Sequence, residues 1–306
     1  MITHVFFSLY LSASILCVNT SPVKVPKVLV IGGTGRVGGS AVRCIHERFG
    51  DEITLSVAGR SEKNWNDFLG RTKEPLTGVE FVALDISEKE DLNRIIPQYD
   101  LVIHTAGPFQ GIKDPSVLET SLRHGKLYID VCDDVALSST ARSKEYRELA
   151  TKHGGAAVIS TGIWPGGSSL FAQKIVDSVG GAEKVDKVKF TFFTAGTGNA
   201  GPTLLAATFL ILGEDVLTYV NDKKVYKKSA TDLETVDFGD KIGMREVVRL
   251  NLIECESCHS AGIYLICLLF FYQHYILINF RYILACMINL FDAKFVALIS
   301  YFFFRN

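Results

Sequence analysis

The stretch KVLVIGGTGRVGG, residues 27–39, decides the fold. An apolar β-branched run leads into Gly33, Gly35 and Gly38, whose GxGxxG spacing before an amphipathic segment is typical of a strand that turns into a helix at a dinucleotide site. We expect Gly33 to form the tight turn, Gly35 to let the backbone approach a diphosphate, and Gly38 to pack the helix on the strand. The residues predicted to hold the diphosphate are therefore Gly33, Thr34, Gly35, Arg36, Val37 and Gly38.

Outward from this loop, short apolar runs alternate with amphipathic stretches, which predicts βαβ units and a parallel sheet. Further strands are expected at residues 52–60, 79–85, 100–107, 126–131 and 156–161. Helices are expected at 36–48, 87–96 with Ser87 as the N-cap, 115–124 and 138–153. Runs this apolar are usually buried on both faces. The predicted class is α/β, a doubly wound parallel sheet followed by a partial α+β domain.

The ends of the predicted strands supply the rest of the cofactor site. Arg60 lies 22 residues after Gly38, where an NAD enzyme usually carries an acid, and its guanidinium can pair with a 2′-phosphate or stack on adenine. NADP is therefore favoured over NAD. The alternative is a solvent-exposed arginine at the start of a helix. Asp85 could accept the adenine amino group or cap a helix with Ser87. The chain from Ala106 through Gly107 and Pro108 to Phe109 should pass close to the nicotinamide, although a simple Gly-Pro turn would look the same.

Acid and base candidates cluster after the fifth strand, at the ligand-binding edge of such sheets. They are Tyr128, Asp130 and Asp133, with Asp134 beside them. Neighbouring carboxylates can raise one another's pKa into a useful range. The alternative is that these are solvated loop acids that cap the next helix.

Taken in order, GGTGRVGG, VAGRS, HTAGPFQG, YIDVCDD, STGIWPGGSSLFA and TAGTGNAGPT resemble the saccharopine dehydrogenase family over residues 27–251. The resemblance implies an NADP-binding Rossmann domain and then a domain for substrate and dimerisation. It also implies oxidoreductase activity on an amino-acid- or imine-type small molecule, and a homodimer. Pro108 and Phe109 match the loop under the nicotinamide, and residues 163–167 match a Gly-x-x-Pro-Gly turn that opens a helix. The alternatives are a catalytically inactive dinucleotide-binding or interaction protein and a membrane-anchored oxidoreductase.

The expected domains are residues 23–162 for the dinucleotide and 163–251 for the partial second domain. In the second domain we expect a strand at 185–196, a loop, a helix at 204–213, and a hairpin at 216–228 that turns at Asn221 and Asp222. The loop repeats GxGxxG and is interpreted as a substrate loop or helix start. The hairpin argues against reading Tyr219 and Lys223 as a catalytic YxxxK pair.

Residues 1–22 and 252–306 differ in composition from the rest of the chain. The first twenty residues are uncharged and could be a secretory signal, an organelle leader or an incorrectly assigned start. The last 55 residues hold 6 charged residues, one Gly and no Pro. The segment 261–280 is long and apolar enough for a transmembrane helix. Translation of a normally untranslated region would give the same composition, and this is the favoured interpretation. A cytoplasmic or plastid location is expected, with membrane association left open.

The whole chain of 306 residues carries 32 Lys and Arg against 33 Asp and Glu, with 48% hydrophobic residues. This balance excludes a disordered chain, a collagen-like chain and a basic nucleic-acid binder. Seven cysteines are too few, and odd in number, for a disulfide framework, which favours a reducing compartment. Cys255, Cys258 and His259 spell the CxxCH of haem attachment, but no other haem-protein feature accompanies it. A metal site is not expected.

Overall fold

The computed structural model describes residues 24–185, 188–195, 211–220, 223–229, 231, 233–260 and 265–272. Twelve strands, eight α-helices and three short 3₁₀ helices have bounds within these ranges. The first unit contains β1 (Lys27–Ile31), α1 (Arg36–Phe49), β2 (Thr54–Gly59), α2 (Glu62–Arg71), β3 (Glu80–Ala83), α3 (Lys89–Ile95), β4 (Leu101–His104), α4 (Ser116–Arg123), β5 (Leu127–Asp130), α5 (Val135–Ala141), α6 (Lys144–His153) and β6 (Ala156–Val158).

These six strands form one parallel sheet in the order β3-β2-β1-β4-β5-β6. The chain reverses its direction of winding between β1 and β4, which places a crevice at the carboxyl ends of these two strands. The doubly wound α/β prediction is confirmed. Every predicted strand of this unit is present, shortened by one to three residues at its ends.

The two faces of the sheet are buried by alternate side chains of the same strands. Leu29 and Ile31 of β1 pack with Leu92 of α3 and Leu118 of α4. The intervening side chains of β1 and β2 pack with Val42, Trp65 and Phe68 on α1 and α2. Because successive side chains of a strand point to opposite faces of the sheet, the same strands contribute to both halves of the core. Edge strand β6 departs from the expected burial, because all three of its residues are exposed.

Two helix predictions need correction. Residues 138–153 form two helices, because α5 begins earlier, at Val135, and ends at Ala141, before α6 starts at Lys144. Ser87 does not cap α3, whose N-cap is Glu88 without a side-chain bond. The N–H and hydroxyl of Ser87 instead donate to Asp85 Oδ1, at 3.0 and 2.7 Å, and close a turn before the helix. Helix α2, capped by Ser61, begins just after Arg60 and forms one of the expected helical connections between strands.

The second unit contains α7 (Gly167–Ser178), β7 (Val188–Ala195), β8 (Val216–Val220), β9 (Lys223–Lys227), β10 (Glu234–Asp237), β11 (Met244–Arg249), α8 (Ile253–Ser260) and β12 (Leu265–Tyr272). The order β10-β11-β12-β7 forms a mixed four-stranded sheet, and β8 pairs with β9. The two strands of the predicted hairpin are confirmed, since Val220 pairs with Lys223, whereas the turn residues Asn221 and Asp222 lie outside the described residues. The predicted loop at 196–203 and most of the helix at 204–213 lie outside the described residues.

The composition break near residue 251 is not a break in the described structure. Leu252, Cys255 and Cys258 are buried against Ala172 and Val176 of α7 and Val188 of β7. Both cysteines of the CxxCH sequence thus face a protein core. Residues 265–272 of the apolar stretch form strand β12, paired along its length with β7. The prediction of a transmembrane helix over residues 261–280 is therefore wrong for residues 265–272. None of the described helices is long and apolar enough to span a membrane.

Candidate functional site

The glycine loop between β1 and α1 is shaped by contacts that leave no room for side chains. A Cβ on Gly38 would lie 2.3 Å from the Gly32 carbonyl oxygen and 2.4 Å from Thr105 Oγ1. A Cβ on Gly33 would lie 2.8 Å from Val57 Cγ1 of β2. The role expected for Gly38, close packing of the helix, therefore agrees with its contacts.

The turn itself is formed by Gly32 rather than Gly33. Gly32 has φ +80°, a left-handed conformation that favours glycine, and a Cβ there would lie 2.8 Å from the backbone nitrogen of Ala106. Gly33 has no positive φ and instead packs between β2 and α1. The sequence could have indicated this turn, because a further glycine, Gly32, directly precedes the GxGxxG motif.

The exposed tip of the loop is the start of α1. Gly35, Arg36 and Val37 are exposed, whereas Gly38 and Gly39 behind them are buried. Gly35 is the N-cap residue and has no side chain to bond the first N–H groups of the helix. Such an open helix start carries partial positive charge and binds phosphate groups. The loop thus presents N–H groups at the carboxyl edge of the sheet.

Arg60 and Asp85 follow neighbouring strands at that same edge. Arg60 is exposed immediately after β2, and Asp85 follows β3, which pairs with β2. The two side chains are near enough for the Arg60 charge to contribute to a lowered pKa of the Asp85 carboxyl, although the hydrogen bonds from Ser87 are the larger cause. Asp85 thus closes a turn with Ser87 and does not cap a helix, and its contact with the adenine amino group stays a prediction.

The chain after β4 passes directly over the glycine loop. Thr105 donates to the Ile31 carbonyl oxygen through both its N–H, at 2.9 Å, and its hydroxyl, at 2.8 Å. Ala106 contacts Gly32, Gly107 and Pro108 are exposed and joined by a cis peptide bond, and Phe109 is buried. The predicted cofactor residues of β1, β2 and β4 therefore lie along one edge.

Two of the three acid and base candidates form a buried hydrogen-bonded chain. Tyr128 Oη donates to Asp130 Oδ2 at 3.0 Å, and His104 Nδ1 lies 3.1 Å from the same Oη. Because the Tyr128 proton is directed to Asp130, His104 must donate through Nδ1–H, which leaves Nε2 as a lone-pair acceptor. His104 Nε2 is buried and makes no hydrogen bond of ordinary geometry within the described residues.

Asp130 also joins two loops through its other oxygen. Oδ1 accepts from the N–H of Cys132 at 3.0 Å and from the N–H of Ser160 at 2.7 Å. Ser160 has φ 60°, which is uncommon for a residue with a side chain, and the bond to Asp130 holds it there. Burial raises the pKa of Asp130 above its ordinary value, with the two N–H groups acting against it. Sequence reasoning missed both His104 and Ser160 as members of this network.

Asp133 and Asp134 have different surroundings from Asp130. Asp134 is buried and is the N-cap of α5, where Oδ1 accepts from the N–H of Leu137 at 2.6 Å. Asp133 is half-buried, and burial raises its pKa. The capping alternative thus describes Asp134, but neither carboxylate is a solvated loop acid.

Comparison with known proteins agrees with this arrangement. Residues 28–159 match the sequence model of the saccharopine dehydrogenase NADP binding domain. The fold resembles the apo saccharopine dehydrogenase (L-Glu forming) of Saccharomyces cerevisiae with a TM-score of 0.57 and 17% identity, over 82% of this chain and 56% of that one. A lipid droplet localized protein of Caenorhabditis elegans is 24% identical over 143 residues, which is 45% of this chain and 33% of that protein.

The chain thus spans about half the length of the yeast enzyme and a third of the worm protein. The family match covers the six-stranded sheet, the glycine loop and the buried chain of His104, Tyr128 and Asp130. Residues 28–159 thus resemble the NADP-binding domain of the saccharopine dehydrogenase family, and they have a Rossmann fold.

Proposed function

We propose that the chain is an NADP(H)-dependent oxidoreductase for a small amino-acid- or imine-type molecule, with the cofactor along the carboxyl edge of the six-stranded sheet. The observation that carries this proposal is the close packing of the glycine loop on Thr105 and Ala106 beside an open helix start. Side chains at Gly32 and Gly38 would clash with that segment, so these glycines let β1, α1 and the chain after β4 pack closely while the start of α1 stays exposed. The match to an NADP-binding domain supports the same conclusion.

Each part of the edge has a separate role in holding the cofactor. The N–H groups of the first turn of α1 bind the diphosphate, and Arg60 binds the 2′-phosphate. The segment from Ala106 to Phe109 supports the nicotinamide, whose C4 supplies or accepts the hydride. The small side chains of Ala106 and Gly107 allow a flat ring to lie against the backbone.

Among the predicted acids and bases, Asp133 is our candidate for moving a proton, because the other two are held in the buried network. Tyr128 and Asp130 bond each other, His104 and two backbone N–H groups, and so hold the loops that frame the site. Asp133 is half-buried and its carboxyl pKa is raised by burial, which favours proton exchange nearer to neutral pH.

The test of the cofactor is a pair of binding titrations with NADPH and NADH. We expect the full chain to prefer NADPH and the Arg60→Glu variant to lose about 10- to 100-fold of that preference, as for a lost charged hydrogen bond of roughly 1.5–3 kcal/mol. Arg71→Glu is the matched control, because Arg71 is exposed at the other end of α2. An unchanged preference in Arg60→Glu would contradict the assignment of the 2′-phosphate site.

An inactive dinucleotide-binding protein is the second candidate. NADPH binding without oxidation or reduction of any amine, imine or 2-amino acid in a broad panel would support an inactive dinucleotide-binding protein. Turnover of one member would exclude it.

A further inference from the structure

Three buried side chains connect the nicotinamide segment, residues 106–109, to the loops after β5 and β6. His104, Tyr128 and Asp130 are 6%, 3% and 5% exposed, and the pairing of β4 with β5 places His104 opposite Asp130. The distance from His104 Nδ1 to Tyr128 Oη is 3.1 Å, and Tyr128 Oη lies 3.0 Å from Asp130 Oδ2. We call these three side chains the buried proton path.

The two ends of the buried proton path have different partners. Asp130 Oδ1 accepts from the N–H groups of Cys132 and Ser160, which fix the carboxyl group. At the other end, His104 Nε2 is buried and has no partner of hydrogen-bond geometry among the described residues. The Ala106 backbone nevertheless raises the pKa of His104, which is the effect of a nearby carbonyl acceptor. Because Nδ1 faces Tyr128, Nε2 is the ring nitrogen left for that carbonyl.

The protonation state of Asp130 sets the direction of every hydrogen bond in the path. When Asp130 is ionised, Tyr128 donates to it, His104 donates from Nδ1, and Nε2 carries a lone pair. When Asp130 is protonated, its O–H donates to Tyr128, Tyr128 donates to Nδ1, and the ring proton lies on Nε2. A lone pair on Nε2 repels the Ala106 carbonyl oxygen, whereas an Nε2–H group donates to it.

This reversal takes up one proton and leaves no charge on the path. As a proton binds Nε2, the Nδ1 proton passes to Tyr128 Oη and the former Tyr128 proton passes to Asp130 Oδ2. Three N–H or O–H bonds form and two break, and all three side chains end neutral. Burial favours this outcome, because it raises the pKa of Asp130 and lowers that of His104 to about 4. Asp130 therefore holds the proton, and His104 stays neutral.

The groups around Asp130 do not compete for this proton. The titratable side chains near it come from β4, β5 and the loop after β5: His104, Tyr128, Cys132, Asp133 and Asp134. Burial raises the pKa of the Tyr128 phenol and the Cys132 thiol, so both keep their protons. Asp133 and Asp134 act on the Cys132 thiol. Within the described part of the chain, no Lys or Arg is among the groups that act on Asp130 or His104.

We propose that His104 is a positioning residue for the nicotinamide segment, and that a proton on Asp130 makes it hold the Ala106 carbonyl through Nε2–H. This inference rests on the proposed function, which assigns residues 106–109 to the nicotinamide. Phe109, whose ring centroid lies 5.1 Å from that of His104, is a second point at which the imidazole supports the segment. Protonation of Asp130 thus strengthens binding of the nicotinamide end and leaves the phosphate sites unchanged.

The test compares two ligands that share the adenosine 2′-phosphate and differ at the nicotinamide end. They are 2′,5′-ADP and 1,4,5,6-tetrahydro-NADP, whose nicotinamide ring is uncharged and is not oxidised. Calorimetric titration of the full chain at pH 8 and pH 5 gives the ratio of their dissociation constants, in which ionisation of the shared 2′-phosphate cancels. We expect tetrahydro-NADP to gain about 3- to 10-fold over 2′,5′-ADP at pH 5, as for one added hydrogen bond.

Two variants hold the buried proton path in one direction each. Asp130→Asn keeps an oxygen for the two backbone N–H groups and donates to Tyr128 from its amide, as the protonated carboxyl does, so it should show the gain already at pH 8. His104→Asn keeps the donor to Tyr128 but has no Nε2, and it should show no gain at either pH. His124→Asn, an exposed change at the end of α4, is the matched control and should behave as the parent.

The outcomes separate this inference from the proposed function. The positioning role is wrong if the parent ratio is the same at both pH values, if the gain persists in His104→Asn, or if Asp130→Asn keeps the parent ratio at pH 8. The cofactor site still stands in each of these cases, whereas absence of binding by both ligands would overturn the proposed function itself. Circular dichroism and the 2′,5′-ADP affinity of each variant check the fold, because a general structural loss would weaken both ligands alike.

Discussion

At the scale of single residues, His104 is the most unusual group in the site. Its ring is buried between Tyr128 and Phe109, with the Phe109 ring at 5.1 Å in an edge contact. Burial lowers its pKa from 6.5 to about 4, against a smaller opposite effect of the Ala106 backbone. His104 is therefore neutral in the folded protein at pH values where an unfolded chain would protonate it.

This difference makes stability depend on pH in a defined direction. The folded pKa is depressed, so the contribution of His104 is fully present above pH 6.5 and is lost as pH falls towards 4. A shift of this size corresponds to about 3 kcal/mol. We expect the free energy of unfolding, measured in urea at pH 7, 5.5 and 4.5, to fall more steeply for the parent than for His104→Asn.

Asparagine is the matched replacement because its amide nitrogen can take the place of Nδ1 as donor to Tyr128. Parallel pH profiles for the two proteins would show that protonation of His104 is not the cause. The raised pKa of Asp130 acts in the opposite direction with pH, so only the difference between the profiles bears on His104.

The sequence predicted much of the cofactor loop but little of this network. The glycine positions could be predicted because few other residues fit in such close contacts, and because Gly33, Gly35 and Gly38 have the spacing expected of a dinucleotide-binding loop. His104, Tyr128 and Asp130 meet because β4 and β5 pair with His104 opposite Asp130. That register depends on packing across the whole sheet, which local sequence patterns do not determine.

At the scale of elements, Asp134 explains why one predicted helix became two. Its carboxylate caps Leu137 and starts α5 at Val135, three residues before the expected start. Ser143 then precedes α6 with extended backbone, φ −62° and ψ 164°, and so interrupts the helical stretch. The helical pattern of the sequence continues through both helices, so it did not indicate the break between them. Asp134, which is a favourable N-cap residue, could have indicated where α5 begins.

The cap predicts a stability difference between two replacements of Asp134. Asp134→Ala should lower the free energy of unfolding by about 1 kcal/mol, because the N–H of Leu137 loses its partner. Asp134→Asn should cost only a few tenths, since its amide oxygen can accept the same bond. Thermal unfolding at pH 7 measures both, and equal losses would mean that charge rather than capping is what Asp134 contributes.

At the scale of the whole molecule, one carboxylate connects the two units. Glu256 on α8 accepts from Arg142, next to the end of α5, at 2.8 Å and from Lys224 of β9 at 2.6 Å. Burial alone would raise the pKa of Glu256, but the bonds from both cations outweigh it and bring the pKa below 4.5. The ion pairs thus join the first unit, the hairpin and α8.

The same contacts predict how the units respond to acid. A lowered folded pKa gives stability that is present above the unfolded value near 4.5 and is lost as pH falls through the folded value. Glu256→Gln should therefore lower the free energy of unfolding by about 1 kcal/mol at pH 7, a modest amount because Arg142 and Lys224 are partly exposed. Below the folded pKa of Glu256 the substitution should have no measurable effect. Glu148→Gln, which removes an exposed pair with Lys144, is the control and should change little at either pH. A Glu256→Gln penalty that persists unchanged into acid would mean that the side chain acts through packing, and the two units would then be held together by the apolar contacts of α8 rather than by charge.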